Sequence, residues 1–253
     1  MSFLKYRVLK GYEVLPHFLT HPSRIPALFK GATPARLITL DVPWIRQMGI
    51  RSVLDVGANV GQFAAIIHHV LPEAEIHSFE PLPDCFDALC ERMGAVQGFR
   101  AYNLALGDCD SEVAFQRNSF TQSSSVLPNT RLQTEAFSWT AKTSTINVRM
   151  ATLDSVMRDV ELPQNLLIKV DVEGYEDRVL LGGEQTLRRA TAAILETSFE
   201  PLHEGQALFE DIYKQMLAYG FRYAGNLDQL ESPADGRVLQ ADALFLNTQL
   251  QRG

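Results

Sequence analysis

The sequence predicts an α/β protein built on a doubly wound, mostly parallel sheet. From residue 52 onward, short apolar runs alternate with amphipathic helical patterns, which is typical of parallel strands joined by right-handed helical crossovers. One run, 53–56, enters a glycine-containing turn that opens into a helix. Several predicted strands end in acidic residues. Because ligands of such sheets bind outside the carboxyl ends of the strands, these acids indicate a ligand crevice.

The composition fits one soluble domain with additions. The chain has 253 residues, of which 46% are hydrophobic and 21% charged, as in ordinary globular proteins. Its net charge of -7 argues against nucleic-acid binding, which leaves a basic footprint. The charge is uneven, because residues 1–50 hold seven Lys or Arg against two acids. Residues 1–50 are therefore net +5, and residues 51–253 are net -12.

Residues 1–50 are predicted to form a helical extension over the mouth of the main domain, which occupies residues 51–253. Five prolines divide the extension into helical candidates at 2–15, 24–30 and 34–48. We interpret it either as a substrate lid or as a packing element. Its basic charge suits an anionic membrane surface, but packing against the acidic remainder accounts for that charge equally well.

The cysteines and the apolar pattern bear on the compartment. Cys85, Cys90 and Cys109 form no C-x-x-C pair, so neither a zinc site nor a disulfide framework is predicted. No secretory signal follows the basic N-terminus, and no run of 18 apolar residues offers a membrane-spanning helix. We therefore expect a cytoplasmic protein with reduced thiols. No pattern in the sequence indicates an oligomeric state.

The first predicted strand, 52–56, contains the acid of an acid-x-G-x-x-x-G pattern. The residues of the pattern are Asp55, Gly57, Asn59 and Gly61. A helix is predicted over 61–70, and a strand, a glycine turn and a helix N-terminus in succession make backbone N–H groups converge on a ligand. A dinucleotide fingerprint requires G-x-G-x-x-G. Asn59 stands where its middle glycine would be, so the pattern disfavours NAD.

The second predicted strand, 75–79, ends at Glu80 and Pro81, and a helix follows over 83–93. This strand tip neighbours the first one in a doubly wound sheet. The carboxylate of Glu80 can therefore accept hydrogen bonds from both ribose hydroxyls of a nucleoside. NAD enzymes place an acid in the same position, so Glu80 alone does not show whether the nucleoside belongs to NAD or to another ligand.

Residues 99–108 are interpreted as a third strand and its exit loop. Asp108 is placed there to accept a hydrogen bond from the exocyclic amine of adenine, with Ala105 and Leu106 beside the ring. A plain turn before a strand at 112–117 is the alternative.

The segment 118–145 is rich in Ser, Thr, Asn and Gln and shows little apolar periodicity. An irregular segment of this length in a compact domain is usually functional or mobile, so we predict a substrate-side loop. Its candidate ligand contacts are Ser123, Ser124 and Ser125. An edge strand at 146–150 and a short helix at 152–157, capped by Thr152, are predicted to follow.

The apolar strand 166–170 ends in Asp171 and Glu173, so two acids face the crevice. A fifth strand, 192–197, carries Glu196 near its end. A helix and two final strands, antiparallel to each other, complete the sheet at 206–219, 221–223 and 243–247.

The order and spacing of these motifs resemble the FkbM-family methyltransferases over roughly residues 50–200. The matching motifs are V-L-D-V-G-A-N-V-G at 53–61, F-E-P at 79–81, A-L-G-D at 105–108, T-L-D at 152–154 and I-K-V-D-V-E-G at 168–174. The resemblance implies the Rossmann-like class I methyltransferase fold with seven strands, and methyl transfer from S-adenosyl-L-methionine to hydroxyl oxygens of natural products or sugars. It also implies a cofactor pocket formed by Asp55, Gly57, Asn59, Gly61, Glu80 and Asp108, with Asp171 near the methionine end.

Transfer to an aliphatic hydroxyl benefits from a base that removes its proton. Glu173, Glu196 and His203 follow strand ends on the ligand side and are the candidate catalytic residues. An unperturbed histidine titrates near neutrality, which suits a base, although a loop histidine is more often solvated. Asp171, Glu173 and Glu196 offer oxygen ligands for a divalent ion, but no spacing requires one and no metal is assigned.

Two other functions remain open. A nicotinamide-dependent oxidoreductase would share the fold and Glu80, but it would need G-x-G-x-x-G and a Tyr-x-x-x-Lys pair. The only such pair, Tyr6 and Lys10, precedes the first strand. A non-catalytic binding module on a methyltransferase scaffold is disfavoured because all the cofactor acids are present. The expected partner is a small-molecule or glycan acceptor.

Overall fold

The computed structural model describes residues 18–25, 28 and 33–250. The predicted helix 2–15 and most of the helical candidate 24–30 therefore lie outside the described residues.

Two short helices, α1 (Pro34–Leu40) and α2 (Pro43–Gln47), replace the single helix predicted over 34–48. Each begins with proline, whose missing N–H costs nothing in the first turn. Pro43 prevents one continuous helix over 34–48, because its ring would clash with the preceding helical turn. The two helices pack on the main domain through Leu37, Leu40 and Ile45.

Seven of the ten strands in the described residues form the main sheet. In chain order the ten are β1 (Ser52–Val56), β2 (Glu75–Phe79), β3 (Phe99–Tyr102), β4 (Ala105–Leu106), β5 (Ser111–Asn118), β6 (Thr143–Ala151), β7 (Leu166–Val170), β8 (Ala190–Ser198), β9 (Phe221–Glu231) and β10 (Val238–Asn247). The main sheet has the order β3-β2-β1-β7-β8-β10-β9. Its first five strands are parallel, and β10 is antiparallel to both neighbours. The predicted doubly wound, mostly parallel, seven-stranded sheet is confirmed.

The carboxyl ends of the central strands are level. Val56 of β1 lies opposite both Phe79 of β2 and Val170 of β7. The residues that follow these three positions therefore emerge at one edge of the sheet, where polar groups from separate strands meet.

Helices cover both faces of the main sheet. The later α-helices of the described residues are α3 (Gln62–Val70), α4 (Pro83–Met93), α5 (Arg131–Ala136), α6 (Leu153–Met157), α7 (Glu176–Gly182), α8 (Glu184–Arg188) and α9 (Phe209–Ala218). Successive strand residues point to opposite faces, so Val53 and Ile76 pack on the α1–α4 layer while Leu54 and Ile168 pack on the α6–α9 layer. In the described part of the chain, no helix has both the length and the apolar character needed to cross a bilayer.

A second sheet corrects the prediction for 118–145, which is largely ordered. This segment contains α5 and two 3-10 turns, and β6 begins within it at Thr143. The prediction that 146–150 is an edge strand is wrong, because β6 is the middle strand of the order β4-β6-β5. The polar side chains that hide the strand pattern lie on the exposed face of β6, while Val148 and Met150 pack inward.

The last two strands extend well beyond the predicted 221–223 and 243–247. They form a long antiparallel hairpin in which Asp228 lies opposite Asp242. Polar residues interrupt the apolar pattern here because this part of β9 is only half-buried. The helix predicted over 206–219 is shorter, and α9 begins at Phe209.

Gly57→Ala is expected to lower the free energy of unfolding by about 2–5 kcal/mol. Gly57 has a φ of +78°, and a Cβ there would lie 1.8 Å from the carbonyl oxygen of Asp171. The substitution therefore strains its own backbone and also forces β1 and β7 apart. Urea unfolding measures the loss.

Gly236→Ala is the matched control. Gly236 has the same φ of +78°, and its Cβ would have open space around it, so only the backbone cost of about 1–2 kcal/mol is expected. Equal losses of stability in the two variants would show that the close approach of Gly57 to the Asp171 carbonyl oxygen adds nothing to the cost.

Candidate functional site

A cavity of about 980 Å³ opens at the carboxyl edge of the main sheet. The strand order reverses there, because the chain proceeds from β1 through β2 to β3 on one side and through β7 and β8 on the other. Ligands of doubly wound proteins bind in the crevice at this reversal. The volume is near the upper limit for small-molecule sites, so it can hold a nucleoside-sized ligand together with a second molecule.

Most of the sequence-predicted site residues line this cavity. The nine that do are Gly57, Asn59, Glu80, Pro81, Ala105, Leu106, Asp171, Glu173 and Glu196. The four that are not among its lining residues are Asp55, Gly61, Asp108 and His203. Motifs far apart in the chain thus meet at one edge of the sheet.

Glu80 follows β2 with both carboxylate oxygens held by the backbone. Asn59 N donates to Oε2 and Leu82 N donates to Oε1, each at 2.8 Å. Burial raises the pKa of Glu80 to about 7, although the two hydrogen bonds oppose the shift. Each carboxylate oxygen has a second lone pair for a ligand hydroxyl, so Glu80 is a fixed acceptor at the cavity wall.

Lys169 holds two carboxylates together at the end of β1 and β7. Its Nζ lies 3.0 Å from Asp171 Oδ2 and 3.7 Å from Asp55 Oδ1. Burial lowers the pKa of Lys169, but the two carboxylates outweigh burial and the net shift is upward. Ser78 donates to the other oxygen of the fully buried Asp55. Asp55 therefore links β1 to β2 and β7 from outside the cavity lining.

Arg36 of α1 is a cavity residue that no sequence motif indicates. Its Nη2 lies 3.1 Å from Asp242 Oδ2 and 3.4 Å from Asp171 Oδ2. Burial pushes the pKa of Asp171 upward, but Lys169 and Arg36 together hold it below its usual value. Residues 33–36 of the N-terminal extension therefore form part of the cavity wall.

Glu173 and His203 form a hydrogen-bonded pair of which only Glu173 reaches the cavity. His203 Nε2 lies 3.1 Å from Glu173 Oε2. His203 is fully buried, which corrects the expectation of a solvated loop histidine, because the loop pairs with residues 128–130 through Thr130 N to Leu202 O and Glu204 N to Pro128 O. His203 Nδ1 has no hydrogen-bond partner among the described residues. A proton on Nε2 fits these contacts.

The backbone of Glu173 is left-handed, with a φ of 58°. A non-glycine residue pays a conformational cost in this region, and such residues cluster at functional sites. Neighbouring contacts hold the turn, because Ser125 Oγ donates to Glu173 O at 2.6 Å and Val172 N donates to Glu176 Oε1 at 3.0 Å. Ser125 thus fixes the loop that presents the Glu173 carboxylate.

One wall of the cavity comes from the region predicted as a substrate-side loop. Its lining residues are Phe120, Thr121, Gln122, Ser123, Ser124, Val126, Gln133, Phe137, Trp139 and Thr140. Two of the three candidate serines are in this set. Ser124 Oγ also accepts a hydrogen bond from Asn118 N at 2.9 Å, so it supports β5 as well.

Asp171, Glu173 and Glu196 present carboxylate oxygens within 4.8 Å of one another. Burial raises the pKa of both glutamates, and Glu196 Oε2 is buried without a hydrogen-bond partner in the described chain. The trio has the chemistry of divalent-cation ligands. Because Lys169 and Arg36 already compensate Asp171, we assign the trio no metal.

Asp108 and Gly61 have other contacts. Asp108 Oδ2 accepts a hydrogen bond from Arg178 Nη1 at 3.1 Å, and its contact with adenine stays a prediction. Gly61 is the N-cap of α3 with a φ of 84°. A Cβ at Gly61 would lie 2.8 Å from Leu89 Cδ1, so this glycine lets α3 and α4 approach.

The model of one protein family, the methyltransferase FkbM domain, matches residues 55–223 of this chain. The match begins in β1 and ends in β9. It therefore includes every one of the predicted site residues.

Three curated relatives are similar to this chain. The 2-O-methyltransferase NoeI of Sinorhizobium fredii is 28% identical over 162 residues, which cover 61% of this chain and 66% of that protein. The methyltransferase sdnD of Sordaria araneosa is 28% identical, covering 63% and 71%. The hexuronic acid methyltransferase AglP of Haloferax volcanii is 29% identical, covering 56% and 54%. The matched region thus spans between about half and seven tenths of these relatives' lengths.

Lys169→Met is expected to lower the free energy of unfolding by about 3–5 kcal/mol at pH 7, because it leaves the buried Asp55 without its counter-charge and Asp171 with that of Arg36 alone. The pKa of Asp55 and of Asp171 rises in the variant, so the loss shrinks as the pH is lowered towards 5. Urea unfolding at the two pH values measures it. Lys214→Met is the control, since the Lys214 side chain is exposed and forms its ion pair with Glu210 on the surface of α9. A loss of stability in Lys169→Met that does not change with pH would contradict the role of Lys169 as the counter-charge of these carboxylates.

Proposed function

Because the chain belongs to the methyltransferase FkbM domain family, we propose that it transfers a methyl group from S-adenosyl-L-methionine to a hydroxyl oxygen of a small-molecule or glycan acceptor. The observation that carries the proposal is the cavity at the reversal of strand order. It has the fixed acceptor Glu80 on its wall and the Glu173–His203 pair beside it.

The residues present fit a sulfonium nucleoside. Glu80 offers two oriented oxygens to a pair of ribose hydroxyls. Ala105 and Leu106 are apolar lining residues suited to a flat base. The turn at Gly57 and the carboxylate of Asp171 border the cavity at the ends of β1 and β7, where a cationic group is favoured by the surrounding acids.

The acceptor hydroxyl needs a base, and Glu173 is the best-placed candidate. When bound, the cofactor supplies an activated methyl group on a sulfonium, so positioning and deprotonation of the acceptor are what the protein contributes. Glu173 lines the cavity and has a raised pKa because it is buried. A carboxylate with a raised pKa is a stronger base than a solvated one. The proton of the acceptor hydroxyl moves to a carboxylate oxygen of Glu173.

His203 acts through Glu173 in this proposal. It donates from Nε2 to Glu173 Oε2, so it orients the carboxylate and leaves Oε1 to face the acceptor. The hydrogen bond also opposes the effect of burial by lowering the pKa of Glu173. His203 is therefore a positioning residue, and Glu196 is a second acid beside the acceptor.

The relatives' names support an oxygen acceptor. NoeI is named a 2-O-methyltransferase and AglP a hexuronic acid methyltransferase. A hydroxyl oxygen as the methyl acceptor agrees with an acid-lined cavity, because buried carboxylates accept hydrogen bonds from hydroxyl groups.

The affinity for S-adenosylhomocysteine is expected to rise about tenfold between pH 6 and pH 8. The pKa of Glu80 is near 7, so Glu80 is mostly neutral at the lower pH and mostly ionised at the higher one. Only the ionised form offers both oxygens as acceptors, and apparent affinity follows the fraction of competent protein. Isothermal titration calorimetry across this range measures the change.

In Glu80→Gln the affinity is expected to be weaker and its pH dependence flat, while thermal unfolding confirms that the variant is folded. Glu112→Gln, on the exposed edge of β5, should keep the wild-type dependence. A dependence that survives in Glu80→Gln would remove Glu80 from the ribose site.

Glu173→Gln is expected to lower kcat by about 10²–10⁴, the usual contribution of a positioned base. Its affinity for S-adenosylhomocysteine should stay within about twofold. Transfer of a labelled methyl group to an acceptor found by screening hydroxyl compounds measures turnover. An unchanged kcat would exclude Glu173 as the base.

His203→Ala should retain more activity than Glu173→Gln and shift the acid limb of the kcat profile to higher pH. The shift is to higher pH because, in the wild type, the hydrogen bond from His203 lowers the pKa of Glu173. Without it the pKa of Glu173 rises. If the acid limb of the kcat profile in His203→Ala stays at the wild-type pH, His203 does not act through Glu173.

A further inference from the structure

We propose that the part of the cavity between α5 and the β9–β10 hairpin is the acceptor subsite, in which Gln133 and Gln240 bind the hydroxyl groups of an uncharged glycosyl acceptor. The inference rests on the proposed function and names the substrate class of that same site.

Two buried amides face this part of the cavity with unused hydrogen-bonding capacity. Gln133 of α5 is 2% exposed, and Gln240 of β10 is 4% exposed. Both line the cavity. Gln133 Oε1 and Gln240 Nε2 have no hydrogen-bond partner among the described residues.

Such atoms are costly unless a ligand uses them. A buried polar group without a partner destabilises the protein, and most buried polar atoms in native proteins have a hydrogen-bond partner. One amide end can accept from a hydroxyl group and the other can donate to a hydroxyl oxygen. Hydroxyl groups do both, so a polyhydroxylated ring satisfies the two amides together.

Aromatic side chains complete the same part of the wall. Phe137 and Trp139 line the cavity with ring centroids 5.5 Å apart. Phe137 packs with Leu202 and Leu239, and Leu230 packs against this cluster, which joins α5 to the β9–β10 hairpin. A few polar groups set among apolar and aromatic walls are typical of small-ligand sites. A sugar ring matches both the polar groups and the apolar walls, because it combines apolar C–H faces with hydroxyl edges.

The charge around the cavity selects against an anionic acceptor. Its acidic lining residues are Glu80, Asp171, Glu173, Glu196, Asp228 and Asp242. Its basic lining residues are Arg36 and Lys169. Both cations are already in ion pairs with carboxylates of the site. A carboxylate on the acceptor would meet uncompensated negative charge, and like-charge contacts at a binding site suppress binding of the wrong ligand.

The test measures transfer of a labelled methyl group to matched glycosides at a saturating concentration of S-adenosyl-L-methionine. The neutral probes are the methyl glycosides of glucose, galactose and fucose, and the anionic probes are methyl glucuronide and methyl galacturonide. We expect at least one neutral glycoside to be methylated with a kcat/KM about tenfold or more above that of either uronide.

Gln133→Leu and Gln240→Leu should each raise the KM for the neutral glycoside by about tenfold, as expected for one lost hydrogen bond. The affinity for S-adenosylhomocysteine should not change. Because each substitution removes an unsatisfied buried atom, the Tm of the ligand-free variants should stay or rise by about 2–4 °C. Gln185→Leu, on the exposed surface of α8, is the control and should change neither value.

The contrary outcomes are distinct. Equal or faster methylation of the uronides would overturn the selection against charge. Lower Tm values with an unchanged KM would show that the two amides are structural. If S-adenosylhomocysteine binds but no glycoside is methylated, the glycosyl assignment is wrong and the proposed function stands. If S-adenosylhomocysteine does not bind, the proposed function itself fails.

Discussion

One buried ammonium group makes the acidic crevice compatible with a folded protein. Lys169 is 4% exposed and lies between Asp55 and Asp171. Arg36 compensates Asp171 and Asp242 from the other side. A buried carboxylate without an opposite charge costs several kcal/mol, so neighbouring strands could not end in acids without these two cations. The meeting of Asp55, Asp171 and Asp242 at this edge of the sheet depends on these two cations.

The sequence predicts the main sheet well because its buried strands are short apolar runs. Residues 52–56, 75–79 and 166–170 are strands in the structure with the predicted bounds. Strands were predicted at 112–117 and 146–150, but their pairing into a second sheet was not. The first residues of β6 escaped prediction because they are exposed Thr and Ser. The β9–β10 hairpin extends past its apolar part for a related reason. β9 is mostly half-buried or exposed and is held by backbone pairing with β10, which leaves little trace in its side-chain pattern.

Within the site, sequence motifs predicted the cavity residues that directly follow a strand and are marked by a glycine or an acid. Glu80 and Asp171 border one cavity because their strands end level. Arg36, Gln133 and Gln240 carry no such signal. Each comes from an element outside the motifs, and only tertiary packing brings it to the cavity wall. The burial of His203 was likewise hidden, because it depends on a loop that pairs with residues 128–130.

The position of the last strand has a consequence for assembly of the protein during synthesis. In the described part of the chain, β9 joins the main sheet only through β10, which is made after it. A growing chain therefore has β1, β2, β7 and β8, with the wall that holds Glu80 and Asp171, before β9 has any strand to pair with. The wall that holds Asp228 and Gln240 is completed only when β10 inserts between β8 and β9. The wall with Glu80 and Asp171 thus precedes the wall with Asp228 and Gln240 in the order of translation.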